Sequence, residues 1–263
     1  MSSGYIPISN WQLVLSVVLV LITGGISALL QLGLLKSLVW GTIRAFIQLT
    51  LIGYILTYIF QINKLAVIIP IILLMSFIAG REATRRISAP SNQVWRSFIA
   101  LTVSTFIVGV IVLVLVISPH PWYSAQIMIP IFGMLLGNSM NAIALSLDRM
   151  YSEINGHREE VQQLLCFGAT PWEAIMNYAR KALVAGMTPS INSLMVVGLV
   201  SLPGMMTGQI IAGMNPQSAV RYQFVVMIMM TACAAIGCLI IIGLSYKNMF
   251  NDDLALAETL HKN

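Results

Sequence analysis

The chain reads as long apolar stretches separated by short polar breaks. A helix needs roughly 20 mainly apolar residues to cross the ~30 Å hydrocarbon core of a bilayer. Seven stretches predict such helices: Trp11–Leu30, Leu38–Phe60, Leu65–Gly80, Trp95–Ile117, Gln126–Leu147, Leu183–Leu202 and Tyr222–Tyr246. The third is short, and Asn63 and Lys64 could lend it length. The first does not read as a cleavable signal peptide, because no Lys or Arg precedes Lys36 and the positive n-region is missing. No internal repeat is visible, so an inverted-repeat transporter finds no support.

Composition agrees with the pattern. Of 263 residues 58% are hydrophobic and 9% charged, and the mean hydropathy is +0.87. Soluble domains average about 25% charged. A soluble globular enzyme, a disordered chain and a nucleic-acid-binding domain are excluded. The expected fold is an all-α integral membrane protein of about seven transmembrane helices, one transmembrane domain over residues 1–263. The net charge of +5 then bears on orientation, because cytoplasmic loops collect Lys and Arg. With the N-terminus outside, the inner side receives Lys36, Arg81, Arg85, Arg86, Arg96, Arg149, Arg158, Arg180, Lys181, Lys247 and Lys262. The outer side receives only Lys64 and Arg221. An outer N-terminus and a cytoplasmic C-terminus follow. Cys166, Cys233 and Cys238 are odd in number and lack metal-site spacing, so they read as small apolar fillers.

The spans are poor in ionisable chemistry. No Asp, Glu or His falls in the middle of any of them, which disfavours a proton-driven carrier and an intramembrane metalloprotease. Apart from Arg96, at the inner edge of the fourth, Arg44 is the sole charge within a span. It either snorkels to the inner headgroups or lines a polar cavity with Gln48, its neighbour at i+4. In the fifth span Pro130, Met134, Asn138, Asn141 and Asp148 fall within roughly an 80° arc of one helix face. That face must look inward, either to hydrogen-bond other helices or to line a substrate path of oxygen and thioether groups. The 16 methionines serve packing or, as thioethers, soft metals. Residues 203–216, bounded by Pro203-Gly204 and Asn215-Pro216, are too short to cross. They form a re-entrant or interfacial segment or an outer-surface loop.

The inner loop 148–182 carries the most specific pattern. Arg158 to Phe167 is amphipathic, with Val161, Leu164, Leu165 and Phe167 on its apolar side. Gly168 suits the left-handed position that ends such a helix. In Thr170-Pro171-Trp172-Glu173, Thr170 can cap the next helix, Pro171 suits its first turn, and Glu173 completes a capping box. These signals predict a helix–turn–helix elbow beneath the membrane, either a dock for another protein or an ordinary well-built loop.

Residues 160–174 (EVQQLLCFGATPWEA) resemble the coupling-helix segment of ABC-transporter permeases, whose pattern runs Glu-Ala-Ala, three residues, then Gly. More closely, the chain resembles the FetB family of small permeases, described as iron exporters and related to plant aluminium-tolerance proteins. Gly41-Thr42-Ile43-Arg44-Ala45-Phe46-Ile47-Gln48-Leu49, Leu136-Gly137-Asn138-Ser139-Met140-Asn141-Ala142 and Leu202-Pro203-Gly204-Met205-Met206-Thr207-Gly208-Gln209 carry the likeness, which spans about residues 11–250. Gln162 and Gln163 depart from the wider pattern, as does Arg180-Lys181-Ala182 where importers tend to carry Leu-Pro. The resemblance implies an ATPase-coupling role for Gly168, Ala169, Thr170, Pro171 and Glu173, and transfers no metal ligand. It implies a bacterial inner-membrane subunit that exports a metal ion and hydrolyses nothing itself. Its partners would be an ABC ATPase chain binding ATP and Mg, and a second copy of the permease. The chain has no Gly-x-x-x-x-Gly-Lys-[Ser/Thr] loop, which agrees. A passive channel or carrier, and a scaffold anchoring a partner through the elbow, are the competing readings.

Overall fold

A computed structural model describes residues 9–85, 92–121, 123–251 and 255–256. Arg86, His261 and Lys262 lie outside the described residues. The described chain is all α: α1 Asn10–Leu29, α2 Leu35–Ile62, α3 Leu65–Thr84, α4 Gln93–Ile111, α5 Ala125–Gly156, α6 Arg158–Cys166, α7 Pro171–Val196, α8 Gly204–Ile211 and α9 Pro216–Ser245. A π segment prolongs α4 to Ile117, and a 3-10 turn prolongs α9 to Met249.

Six of these helices, α1 to α5 and α9, are long and apolar enough to cross a membrane. The protein is an all-α, multi-pass membrane protein. In such helices the backbone satisfies itself, and several hydroxyls do the same. Thr42, Thr50, Thr57, Ser76 and Thr231 each donate to the carbonyl four residues back.

The sixth expected span, Leu183–Leu202, is displaced in the structure. Helix α7 begins at Pro171, at the elbow, and ends at Val196. Asn177, Arg180 and Lys181 lower its hydropathy without interrupting its hydrogen bonds, so a composition window misses its first half. Its 26 residues are about 39 Å long at 1.5 Å per residue. Beyond it, Gly198 turns the chain at φ +84° and Val197 pairs with Ser201. The third helix gains length at its C-terminal end, to Thr84, while Asn63 (φ 40°) and Lys64 form the turn before it. Residues 203–216 contain α8, which has no fully buried residue and packs on α9.

Helix α5 is the central post, in contact with α3, α4, α7 and α9. One half of the core surrounds Phe132, Ile68, Ile72 and Met229. The other surrounds Ile143, Leu147, Met150, Ile175 and Ile241 and runs out under α6 through Val161. The α1–α2 hairpin stands at the edge with nearly every side chain exposed, and α2 leans lightly on α5.

Candidate functional site

The elbow is built from three helices. Residues 148–182 form little irregular chain, because α5 runs on to Gly156 and α6 starts at Arg158. Helix α6 ends in a full Schellman closure. The Gly168 N–H donates to the Leu165 carbonyl and the Ala169 N–H to that of Leu164, each at 3.0 Å. Gly168 sits at φ +90°, a conformation that suits a residue without Cβ. Two residues later Thr170 caps α7. Its Oγ1 accepts from the Glu173 N–H, and Glu173 Oε2 accepts from the Thr170 N–H at 2.8 Å and hydroxyl at 2.7 Å. Pro171 occupies the first turn, where its missing N–H costs nothing.

A polar clamp below holds the three helices together. Glu153 of α5, with only a tenth of its side chain exposed, accepts from Arg149 at 2.6 Å and from Lys181 of α7 at 2.8 Å. The Tyr178 hydroxyl of α7 donates to Glu160 of α6 at 2.8 Å. Its ring stacks on His157 with centroids 5.1 Å apart. Burial, and then Glu160, push the Tyr178 hydroxyl up to about 12. Sequence reading missed this clamp, since the pair Glu153–Lys181 is distant in the chain. Only the i,i+4 spacing of Arg149 and Glu153 hinted at it.

The clamp and cap carry a pH signature. The Thr170 hydroxyl, then its N–H, hold the Glu173 carboxyl below its ordinary value of 4.5. The Lys181 hydrogen bond, then the charge of Arg149, does so for Glu153 against the cost of burial. Depressed carboxyls contribute stability that is present above the unfolded value and lost as pH falls through the folded one. The elbow should therefore loosen below pH about 4.5, with little change between pH 6 and 8. Hydrogen exchange of the Thr170 amide and of amides 172–176, corrected for intrinsic rates, checks this. Glu173→Gln should remove the local part of the acid sensitivity.

Above the elbow, α5 and α7 enclose a groove of about 550 Å³ lined by Asn138, Asn141, Leu145, Asp148, Gly186, Pro189 and Ser190. A smaller chamber of about 210 Å³ continues beyond Asn138 and Ser190, lined by Ser193, Ser201, Met227, Met230 and Thr231. Asn138 stands between the two. Its amide donates to Ser190 Oγ at 3.1 Å and to the Met230 carbonyl at 3.2 Å. The close approach of α7 depends on Gly186, where a Cβ would lie 2.7 Å from Cys238 Sγ and 2.8 Å from the Ala142 carbonyl oxygen.

The structure brings Asn138, Asn141 and Asp148 into one groove. It packs Met134 against the core, and sets Arg44 in a separate groove with Glu82 and Gly137. Gln48 is exposed on α2. Pro189 and Ser190 of α7 were not foreseen, although a Pro-Ser pair inside an apolar run was the available signal. Among the described residues no three His, Cys, Asp or Glu side chains come together as a metal site. The groove offers amide, hydroxyl and single carboxylate oxygens, with two thioethers in the smaller chamber.

The model of an uncharacterised protein family, UPF0014, matches residues 10–250. The UPF0014 membrane protein YjkA of Bacillus subtilis (strain 168) is 38% identical over 239 residues, 91% of this chain and 94% of its own. A protein of Escherichia coli (strain K12) named "Probable iron export permease protein FetB" is 34% identical over 252 residues, 96% of each chain. "Protein ALUMINUM SENSITIVE 3" of Arabidopsis thaliana is 31% identical over 235 residues, 89% of this chain and 85% of its own. No solved structure matches the chain.

Proposed function

The chain belongs to the UPF0014 family, and from that premise we propose that it is the permease subunit of an ABC transporter exporting iron or another metal ion. ATP and Mg would be bound by a separate ATPase chain, in the inner membrane of a bacterium. The name given to the Escherichia coli relative supports permeation and the iron cargo.

The observation that carries the coupling is the continuity of α7. Its first turn is the elbow, and its middle supplies Gly186, Pro189 and Ser190 to the groove wall. Pro171 and Ser190 are about 28 Å apart along one helix. A push on the elbow is thus delivered to the Ser190–Asn138 contact, the partition between the two chambers. Pro189 leaves the carbonyl of Ala185 without its helical donor, so a bend there is cheap.

Orientation follows from the basic residues. With α7 as a seventh span, the N-terminus is outside and the elbow cytoplasmic. The groove supports a homodimer. Asn141 is exposed on the groove face of α5, and lipid tails cannot satisfy an amide. A second copy closes the groove and makes it a shared path.

The test is export from proteoliposomes holding the permease with its ATPase. Metal movement should require ATP, and the metal should stimulate ATP hydrolysis. Movement down a gradient by the permease alone, indifferent to ATP, would leave a passive channel or carrier in its place.

A further inference from the structure

A different face of α5 borders a second groove, of about 380 Å³, between α2, α3 and α5. Arg44 lies in it, nine positions into α2. Roughly 14 Å of helix separates it from the start of that helix. A cation at that depth is costly unless it meets an anion or water. Among the described residues Arg44 makes no hydrogen bond or ion pair, and its side chain is exposed. Glu82 borders the same groove, but its carboxylate faces Arg85 at 3.7 Å.

The remaining walls are apolar. Met75 and Met140 flank a trough floored by Gly133 and Gly137. A Cβ at Gly137 would meet nothing within 4 Å, and one at Gly133 only the end of Met75 at 3.4 Å. The trough therefore has room for a hydrocarbon chain. The connection from α2 to α3 is short, so the two helices run antiparallel, and Lys36, Arg81 and Arg85 share the end nearest Arg44. That end carries a positive potential attractive to anionic headgroups. One cation above an apolar trough complements an amphipathic anion. A soluble anion would have no use for the trough, and a zwitterionic lipid brings no net charge to Arg44.

We propose that this groove is a binding site for an anionic phospholipid, with the phosphate on Arg44 and an acyl chain along Gly133 and Gly137. The site is independent of the transport reading, since it requires only that the chain sit in a bilayer.

The experiment is native mass spectrometry of the full chain in detergent, titrated with phosphatidylglycerol, phosphatidylcholine or inorganic phosphate. Phosphatidylglycerol should be retained about fivefold better than phosphatidylcholine, the worth of one basic residue near the headgroups. Arg44→Gln should abolish that preference. Gly137→Leu should reduce retention of phosphatidylglycerol with every charge intact, and Glu82→Gln should leave it unchanged or raised. Circular dichroism confirms that each variant is helical, and Gly137→Leu carries the test if Arg44→Gln does not fold. Equal retention of the two lipids, an undiminished preference in Arg44→Gln, or binding of inorganic phosphate that phosphatidylglycerol cannot displace would overturn the proposal.

Discussion

Gly186→Val is expected to lower the stability of the purified chain by about 1–3 kcal/mol, the usual penalty for overpacking, and to abolish export. At Gly186 a Cβ would lie 2.7 Å from Cys238 Sγ, 2.8 Å from the Ala142 carbonyl oxygen and 2.9 Å from Ser146 Cβ. These atoms belong to α5 and α9, and the Ala142 oxygen is backbone, so no single rotamer change relieves the clash. Helix α7 must move away from α5. Ser190 lies one turn further along α7, and its 3.1 Å contact with Asn138 moves with it. The partition between the chambers would then open permanently. Gly208→Ala is the control, because a Cβ there meets nothing within 4 Å. Filling that helical position should be neutral or slightly stabilising. Thermal denaturation in detergent reads the first effect and proteoliposome export the second. A Gly186→Val protein with native melting temperature and native export would show that α7 need not sit so close.

The spans were legible because bilayer thickness writes itself into sequence as runs of apolar residues. Five of the seven expected spans, at α1 to α4 and α9, lie over observed helices, with ends that differ by at most six residues. The elbow was legible for a different reason. Schellman closure and capping box are local motifs, set by residues within five positions of each other, and each hydrogen bond they imply is present.

What escaped was non-local or lay against the hydropathy signal. The first half of α7 carries Asn177, Arg180 and Lys181, which a hydropathy window reads as loop. The helix absorbs them because Lys181 reaches Glu153 and the others need no break in the backbone ladder. The clamp itself joins α5, α6 and α7 through pairs with no shared period. Arg44 was linked to Gln48 by the i+4 rule, which says which residues share a face and not what that face meets. In the fold it meets α3 and the glycine side of α5. Of the five-residue arc on α5, Asn138, Asn141 and Asp148 share one groove because one helix carries all three, while Met134 packs in the core and Pro130 is exposed. The groove's opposite wall, Pro189 and Ser190, depends on how α7 is packed.

The second large effect is expected at Gly168, where a side chain would strain the backbone without touching anything. A Cβ there meets no atom within 4 Å, yet φ is +90°. Left-handed geometry costs an L-residue roughly 1–2 kcal/mol, and a β-branched residue fares worst. Gly168→Val should therefore break the Schellman closure that joins α6 to the Thr170 cap. Global stability should barely change, because Phe167 beside it is 88% exposed and the core under α6 rests on Val161. ATP-driven export and metal-stimulated hydrolysis should fall together, by about five- to thirtyfold if the strain is relieved by leaving the docking geometry. Gly168→Asn should lose least, since asparagine tolerates the left-handed region, and Gly168→Ala should lie between. That order separates backbone geometry from side-chain bulk, because asparagine and valine are similar in size. If valine and asparagine impair export equally, bulk at the docking surface is the cause. If valine leaves ATP-driven export intact, the elbow does not transmit the stroke, and α7 moves for some other reason.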